Sequence, residues 1–233
     1  MIQHPSPNFG HRRGGALPDI VVLHGTAMDS AAAALERLCS PDFEVSAHYL
    51  IAIDGETFCL VNEDLRAWHA GAGSWGGVTD VNSRSIGIEL DNVDGSPFPE
   101  PQMAALETLL AGIMKRWSIS PARVIAHSDM APARKRDPGP KFDWRRLALA
   151  DLSIWPEEMT HSLTALPERR AGTGSPDAAF RAAAMEFGYP DVATETLLAA
   201  FRRRFLPHMD GSVTADDLTA IRNLVRRFPV DRS

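Results

Sequence analysis

Two short apolar runs, each ending in a histidine, constrain this chain more than any other feature. Ile20-Val21-Val22-Leu23 is rich in β-branched residues and leads into His24-Gly25-Thr26, while Arg123 to Ala126 leads into His127. Short apolar runs closed by turn residues read as buried strands. A third run, Ile86 to Leu90, carries Glu89 among apolar neighbours, and Val45 to Ile53 faces Thr57 to Val61 across Asp54-Gly55, a strong hairpin turn. Helical patterns lie between them. Asp29 or Ser30 caps one that runs to about Cys39. From Glu100 to Trp117, apolar residues at Met103, Leu106, Leu109, Leu110, Ile113, Met114 and Trp117 give an amphipathic helix suited to lie on a sheet. Strands interleaved with helices, plus one hairpin, imply an α/β fold: a mixed central β-sheet flanked by helices.

At 233 residues the chain has room for one full domain and a small one. Composition changes past Trp155. Residues 156–175 read as a linker; helical patterns at Asp177 to Phe187, Thr194 to Phe205 and Thr214 to Arg227 then give a small C-terminal three-helix module. The expected division is 1–155, 156–175 and 176–233. A net charge of -6 disfavours nucleic acid, whose phosphates need a clustered basic surface. No stretch is apolar for long enough to span a bilayer, and the Pro/Gly-rich lead lacks an export signal. The expected location is cytoplasmic as the sequence stands, or periplasmic where a signal has been removed. Cys39 and Cys59 lie in apolar contexts and read as buried free thiols.

The chemistry gathers around Arg123 to Trp144. His127 is followed by a loop with two prolines and a basic triplet, which delivers Asp137 into a Pro-Gly turn. With His24 these residues match a catalytic zinc arrangement of three protein ligands and one open position. Each also has a plainer reading, since strand-end histidines are often structural and Asp before Pro-Gly often bonds its own backbone. Glu89 needs a partner, because a carboxylate on an apolar strand is costly; it is either a proton shuttle for an attacking water or half of a salt bridge. Lys135 can aim an ammonium at a developing oxyanion, or belong to a solvated cluster with Arg134 and Arg136. The long loop Arg66 to Ser85 holds Trp68, His69 and Trp75, and aromatics there favour a ligand-facing wall. His48 reads as a core histidine.

VVLHGT, VSAHYLIAIDG, AWHAG, VNSRSIGIEL and IAHSDMAPARKRDPGPKFDW, in that order and spacing, strongly resemble the zinc-dependent N-acetylmuramoyl-L-alanine amidases of the type-2 amidase family. The resemblance covers about the first two-thirds of the chain. It implies an amidase/peptidoglycan-recognition-like fold, Zn2+ held by His24, His127 and Asp137, and Glu89 and Lys135 as the catalytic pair. It also implies a peptidoglycan or muropeptide substrate met by Trp68, His69 and Asn82, with Arg134 a further candidate contact. Some related members carry a tyrosine before the strand histidine; here that position is Ala47. The rival from another class is a non-catalytic peptidoglycan-recognition module. The C-terminal helices resemble the family's peptidoglycan-binding module, so their removal is expected to leave the chemistry intact. Arg202, Arg203 and Arg204 would then form a solvated basic face or a contact for acidic stem peptides.

Overall fold

The computed structural model describes residues 1–93, 95–157 and 175–230. Most of the expected linker lies outside the described residues. In chain order the strands and helices are β1 (Ile2–Gln3), β2 (Phe9–His11), β3 (Ile20–Gly25), α1 (Ala31–Cys39), β4 (Tyr49–Ile51), β5 (Thr57–Cys59), β6 (Leu65–Ala67), α2 (Val81–Arg84), β7 (Ser85–Leu90), α3 (Glu100–Trp117), β8 (Val124–Ala126), α4 (His127–Met130), α5 (Trp144–Leu149), α6 (Pro176–Phe187), α7 (Thr194–Phe205) and α8 (Ala215–Arg227). Ser30 caps α1 by accepting from the Ala33 amide, and Thr214 with Asp217 forms a capping box on α8. The hairpin forms, with Gly55 at a positive φ of 90° that suits glycine. Its first strand is shorter than expected. Val45 to His48 leave the regular ladder, and the Ser46 amide donates instead to the Trp68 carbonyl. The lead is ordered too: β1 pairs in parallel with β5, and β2 pairs with β6. Cys39 and Cys59 are free and only half-buried.

The main sheet runs β1-β5-β4-β7-β3-β8, with β4, β7, β3 and β8 parallel and the β4–β5 pair antiparallel. Strand alternation sorts its side chains onto two faces. Val21, Leu23, Ile86, Ile88, Leu90, Val124 and Ala126 pack with Met103, Leu106, Leu110 and Ile113 of α3. The opposite face is covered in two places. Leu50 and Phe58 meet Ala34 and Leu38 of α1, whereas Ile20, Val22 and Ile125 meet residues of α6, α7 and α8. A groove lies between these two covers. Among the described residues no helix is long and apolar enough to cross a membrane.

The C-terminal helices therefore share a core with the sheet: Phe180, Phe187, Phe201 and Phe205 belong to one buried cluster with Ile20, Val22, Trp75, Ile125 and Met130. Polar contacts add to it. Arg204 Nη1 donates to Asp129 Oδ2 at 2.5 Å, the Tyr189 hydroxyl donates to Asp129 Oδ1 at 2.8 Å, and Arg204 also reaches the Val124 carbonyl at 2.9 Å. Arg202 donates to both Asp217 oxygens at 2.9 and 2.6 Å. Arg202 and Arg204 are thus buried ion-pair partners, contrary to the reading of a solvated basic face. Buried charges at these helix positions are tolerated because each guanidinium has a carboxylate and at least one backbone carbonyl as partners, although Arg204 Nε has none.

Candidate active site

Alternation places His24, Glu89 and His127 on one face of the sheet, the face that carries the groove. His24 of β3 lies in register beside Glu89 of the parallel strand β7. His127 follows β8 and opens the one-turn helix α4. All three sit at the C-terminal ends of parallel strands, where open α/β sheets generally bind ligands. The loop from Ala131 returns through Asp137, whose carbonyl accepts from the Ser128 amide at 3.1 Å, and this brings the Asp137 carboxylate back over the histidines.

The three expected ligands converge. His24 Nδ1 lies 2.9 Å from His127 Nδ1 and 3.3 Å from Asp137 Oδ2, and His127 Nδ1 lies 3.0 Å from the same oxygen. The protons on the far sides of the rings show what this cluster is suited to hold. The Ser85 hydroxyl donates to the Val81 carbonyl at 2.6 Å, so its oxygen receives the His69 Nε2 hydrogen at 3.1 Å. His69 Nδ1 is then an acceptor, and His24 Nε2 donates to it at 3.0 Å. His127 Nε2 faces the Ala70 carbonyl at 3.0 Å, and a carbonyl only accepts. Both neutral rings consequently turn a bare Nδ1 lone pair toward each other and toward a carboxylate oxygen. With both rings neutral and in these tautomers, no N–H lies between them. A cation resolves the conflict, and a set of two imidazoles and one carboxylate fits zinc. Burial, followed by the nearby His127, lowers the His24 pKa to about 4, and burial followed by His24 puts that of His69 well below its usual range.

Glu89 stands beside this cluster, its Oε1 3.9 Å from His24 Nδ1. Its Oε2 is buried and has no hydrogen-bond partner among the described residues. Burial, then repulsion from Asp137, raises the Glu89 pKa to about 8, while Lys135 acts in the opposite direction. Lys135, Trp68 and His69 line the same groove, a cavity of about 610 Å³ walled by Arg37 and Leu38 of α1 and by Arg203 of α7.

Two expected substrate contacts lie elsewhere. The Asn82 side-chain carbonyl accepts from the backbone amides of His69 at 3.1 Å and Ala70 at 2.8 Å, and so fixes the loop that carries the His69 ring. Arg134 donates to the Ala70 and Ala72 carbonyls at 2.6 and 2.8 Å and clamps that loop from the other side. Neither residue lines the groove. His69 does line it, yet its ring nitrogens are occupied by His24 and Ser85.

Gly87 accounts for the glycine inside β7. A Cβ there would lie 2.4 Å from the His69 ring. Gly87→Ala is expected to push that ring off His24, lowering stability by about 1–3 kcal/mol as overpacking usually does, and to weaken metal retention. Thermal melting and competition with a chelator measure both, and unchanged values would mean that the ring can move freely.

Two histidines and a glutamate at the ends of parallel strands, with an aspartate returned over them by a loop, define a hydrolase built around a metal-capable site. The pattern of the N-acetylmuramoyl-L-alanine amidase family matches residues 14–140. N-acetylmuramoyl-L-alanine amidase AmiD of Escherichia coli (strain K12) is 33% identical over 237 residues, covering 91% of this chain and 84% of AmiD. The 1,6-anhydro-N-acetylmuramyl-L-alanine amidase AmpD of Citrobacter freundii is 32% identical over an alignment of 173 residues that covers 67% of this chain and 92% of AmpD. The solved complex of AmiD from Escherichia coli with anhydro-N-acetylmuramic acid-L-Ala-D-gamma-Glu-L-Lys has a TM-score of 0.80 at 31% identity, covering 96% of this chain and 99% of that one. The chain belongs to the N-acetylmuramoyl-L-alanine amidase family.

Proposed function

We propose that this protein hydrolyses the amide bond between N-acetylmuramic acid and the L-alanine of the stem peptide, in peptidoglycan or its muropeptide fragments, with zinc held by His24, His127 and Asp137. The observation that carries the reading is the Glu89 carboxylate, its Oε2 buried without a partner, beside three converging lone-pair donors. When bound, zinc supplies Lewis acidity, which polarises a carbonyl and makes water acidic enough to ionise near neutral pH. Glu89 receives the proton of the attacking water and returns it to the departing L-alanine nitrogen. Lys135 draws the raised pKa of this carboxylate back down, toward the ionised form that accepts the proton. Lys135 faces the same groove and its ammonium offsets the charge that develops on the carbonyl oxygen. The lactyl carbonyl leaves as a carboxylate and the stem peptide as a free amine, which balances the addition of one water. Trp68 forms part of the substrate wall. His69, Asn82 and Arg134 act one layer further out, by holding His24 and the 69–72 loop in place.

In this reading the reacting residues lie in 1–155, and the helices from 176 onward serve as the second wall of the groove rather than as a freely tethered wall anchor. The burial of Arg202 and Arg204 supports that division. Metal removal tests the whole proposal. Because the domain has its own apolar core, chelation is expected to abolish release of stem peptide while far-UV circular dichroism stays nearly unchanged, and added zinc is expected to restore turnover. Full activity after verified removal of zinc would overturn the reading.

A further inference from the structure

We infer that Arg203 of α7, together with Arg136 of the catalytic loop, forms a carboxylate-binding subsite in the groove, so that the C-terminal helices take part in reading the stem peptide. The inference rests on the amidase reading above. Three observations lead to it. First, Arg203 differs from its neighbours: Arg202 and Arg204 each hold a carboxylate, whereas among the described residues Arg203 has no hydrogen bond or ion pair, and its Nη1 is buried without a partner, as is Arg204 Nε. A guanidinium nitrogen that is desolvated and unpaired is costly even in a half-buried side chain, and an anion from outside the chain removes that cost. Second, the neighbours fix where it points. Successive helix residues are about 100° apart, so Arg202, tied to Asp217 on one side, and Arg204, tied to Asp129 on the other, set the rotation of α7 and leave Arg203 facing between them. Third, Arg203 and Arg136 both line the groove that contains His24, His127, Glu89 and Asp137. Pro140 and Arg203 also border an adjoining cavity of about 580 Å³, which gives an extended ligand room to continue past the reacting bond. Burial, then repulsion from Arg136, lowers the Arg203 pKa, and the more weakly acting Asp129 and Asp137 do not offset them.

The ligand class follows from the substrate. In a stem peptide of the form L-Ala-D-gamma-Glu, as in the ligand bound to AmiD, the glutamate is linked through its side-chain carboxyl, which leaves its α-carboxylate free one residue beyond the L-alanine. A guanidinium meets such a carboxylate through paired N–H donors, and amidation removes both the charge and part of the acceptor set.

The test compares muramoyl-L-Ala-D-gamma-Glu-L-Lys, in which the γ-carboxyl is in amide linkage, with the same compound amidated at the glutamate α-carboxylate, using wild type, Arg203→Gln and Arg203→Lys in the full chain. Wild type is expected to favour the acid. Arg203→Gln should lose at least about tenfold more kcat/KM on the acid than on the amide, mainly through KM, as for the loss of a charge-assisted contact, and Arg203→Lys should recover part of that difference. Equal losses on both substrates, or none on either, would overturn the inference. Calorimetric titration with the dipeptide L-Ala-D-gamma-Glu separates the two levels of the argument, because it needs no turnover. If wild type cleaves neither compound yet binds the acidic dipeptide at least about tenfold more tightly than Arg203→Gln does, the subsite stands while the amidase reading fails. Equal dipeptide binding by the two proteins removes the subsite.

Discussion

Glu89→Gln is expected to reduce turnover by about 10²–10⁴-fold, the usual contribution of a positioned acid–base group, while metal and substrate binding persist. Glutamine keeps the shape and sits on the same strand, but its amide cannot take up and return a proton. The carboxylate is not among the converging donors, and its Oε2 has no partner that the substitution would strand. Muropeptide hydrolysis followed by mass spectrometry, alongside metal analysis of the same preparation, measures both halves. Loss of the metal would move Glu89 into the ligand set. Undiminished turnover would remove it from the reaction.

Removal of the C-terminal helices is expected to cost the protein its fold, not merely its affinity for polymer. A chain ending near residue 157 would expose Ile20, Val22, Trp75, Ile125 and Met130, each fully buried in the intact molecule. At about 1.5–3 kcal/mol per large apolar side chain, that loss rivals the 5–15 kcal/mol that usually holds a domain together. It would also leave Asp129 buried without Arg204 and Tyr189, two residues from His127. Size-exclusion chromatography and thermal melting of residues 1–157 are expected to show aggregation or a non-cooperative transition. A soluble monomer with a sharp melt and normal hydrolysis of small muropeptides would instead make the helices a separable attachment, as their sequence pattern alone suggests.

The contrast between those two outcomes marks how far the sequence could be read. β3, β7 and β8 are short apolar runs with chemistry at their ends, and α3 has a regular apolar stripe with the bounds its spacing implies; these are local signals and they located the framework. The pairing of Ile2 with Phe58 joins segments far apart in the chain and leaves no local mark. The ring partners of His69 are hidden for the same reason. A histidine after a tryptophan in a glycine-rich loop resembles a substrate contact, and only the folded chain brings Ser85 and His24 to its two nitrogens. The arginine triplet of α7 was the hardest case. Charge runs usually face solvent, and the burial of Arg202 and Arg204 depends on Asp217 and Asp129, which no helical periodicity reveals.

The registered pair His24 and Glu89 has a consequence for how this site can change. Neighbouring strands are held about 4.8 Å apart by their ladder, and β3 and β7 each have a parallel strand on both sides. The metal-capable side and the proton carrier therefore share one rigid bed whose spacing does not respond to the ligand. Adaptation to a different amide must come from the banks of the groove, on α1, α7 and residues 135–140. Exchanging residues on those banks should alter which peptide is accepted, whereas shortening Glu89 to aspartate would open a gap that neither strand can close by moving.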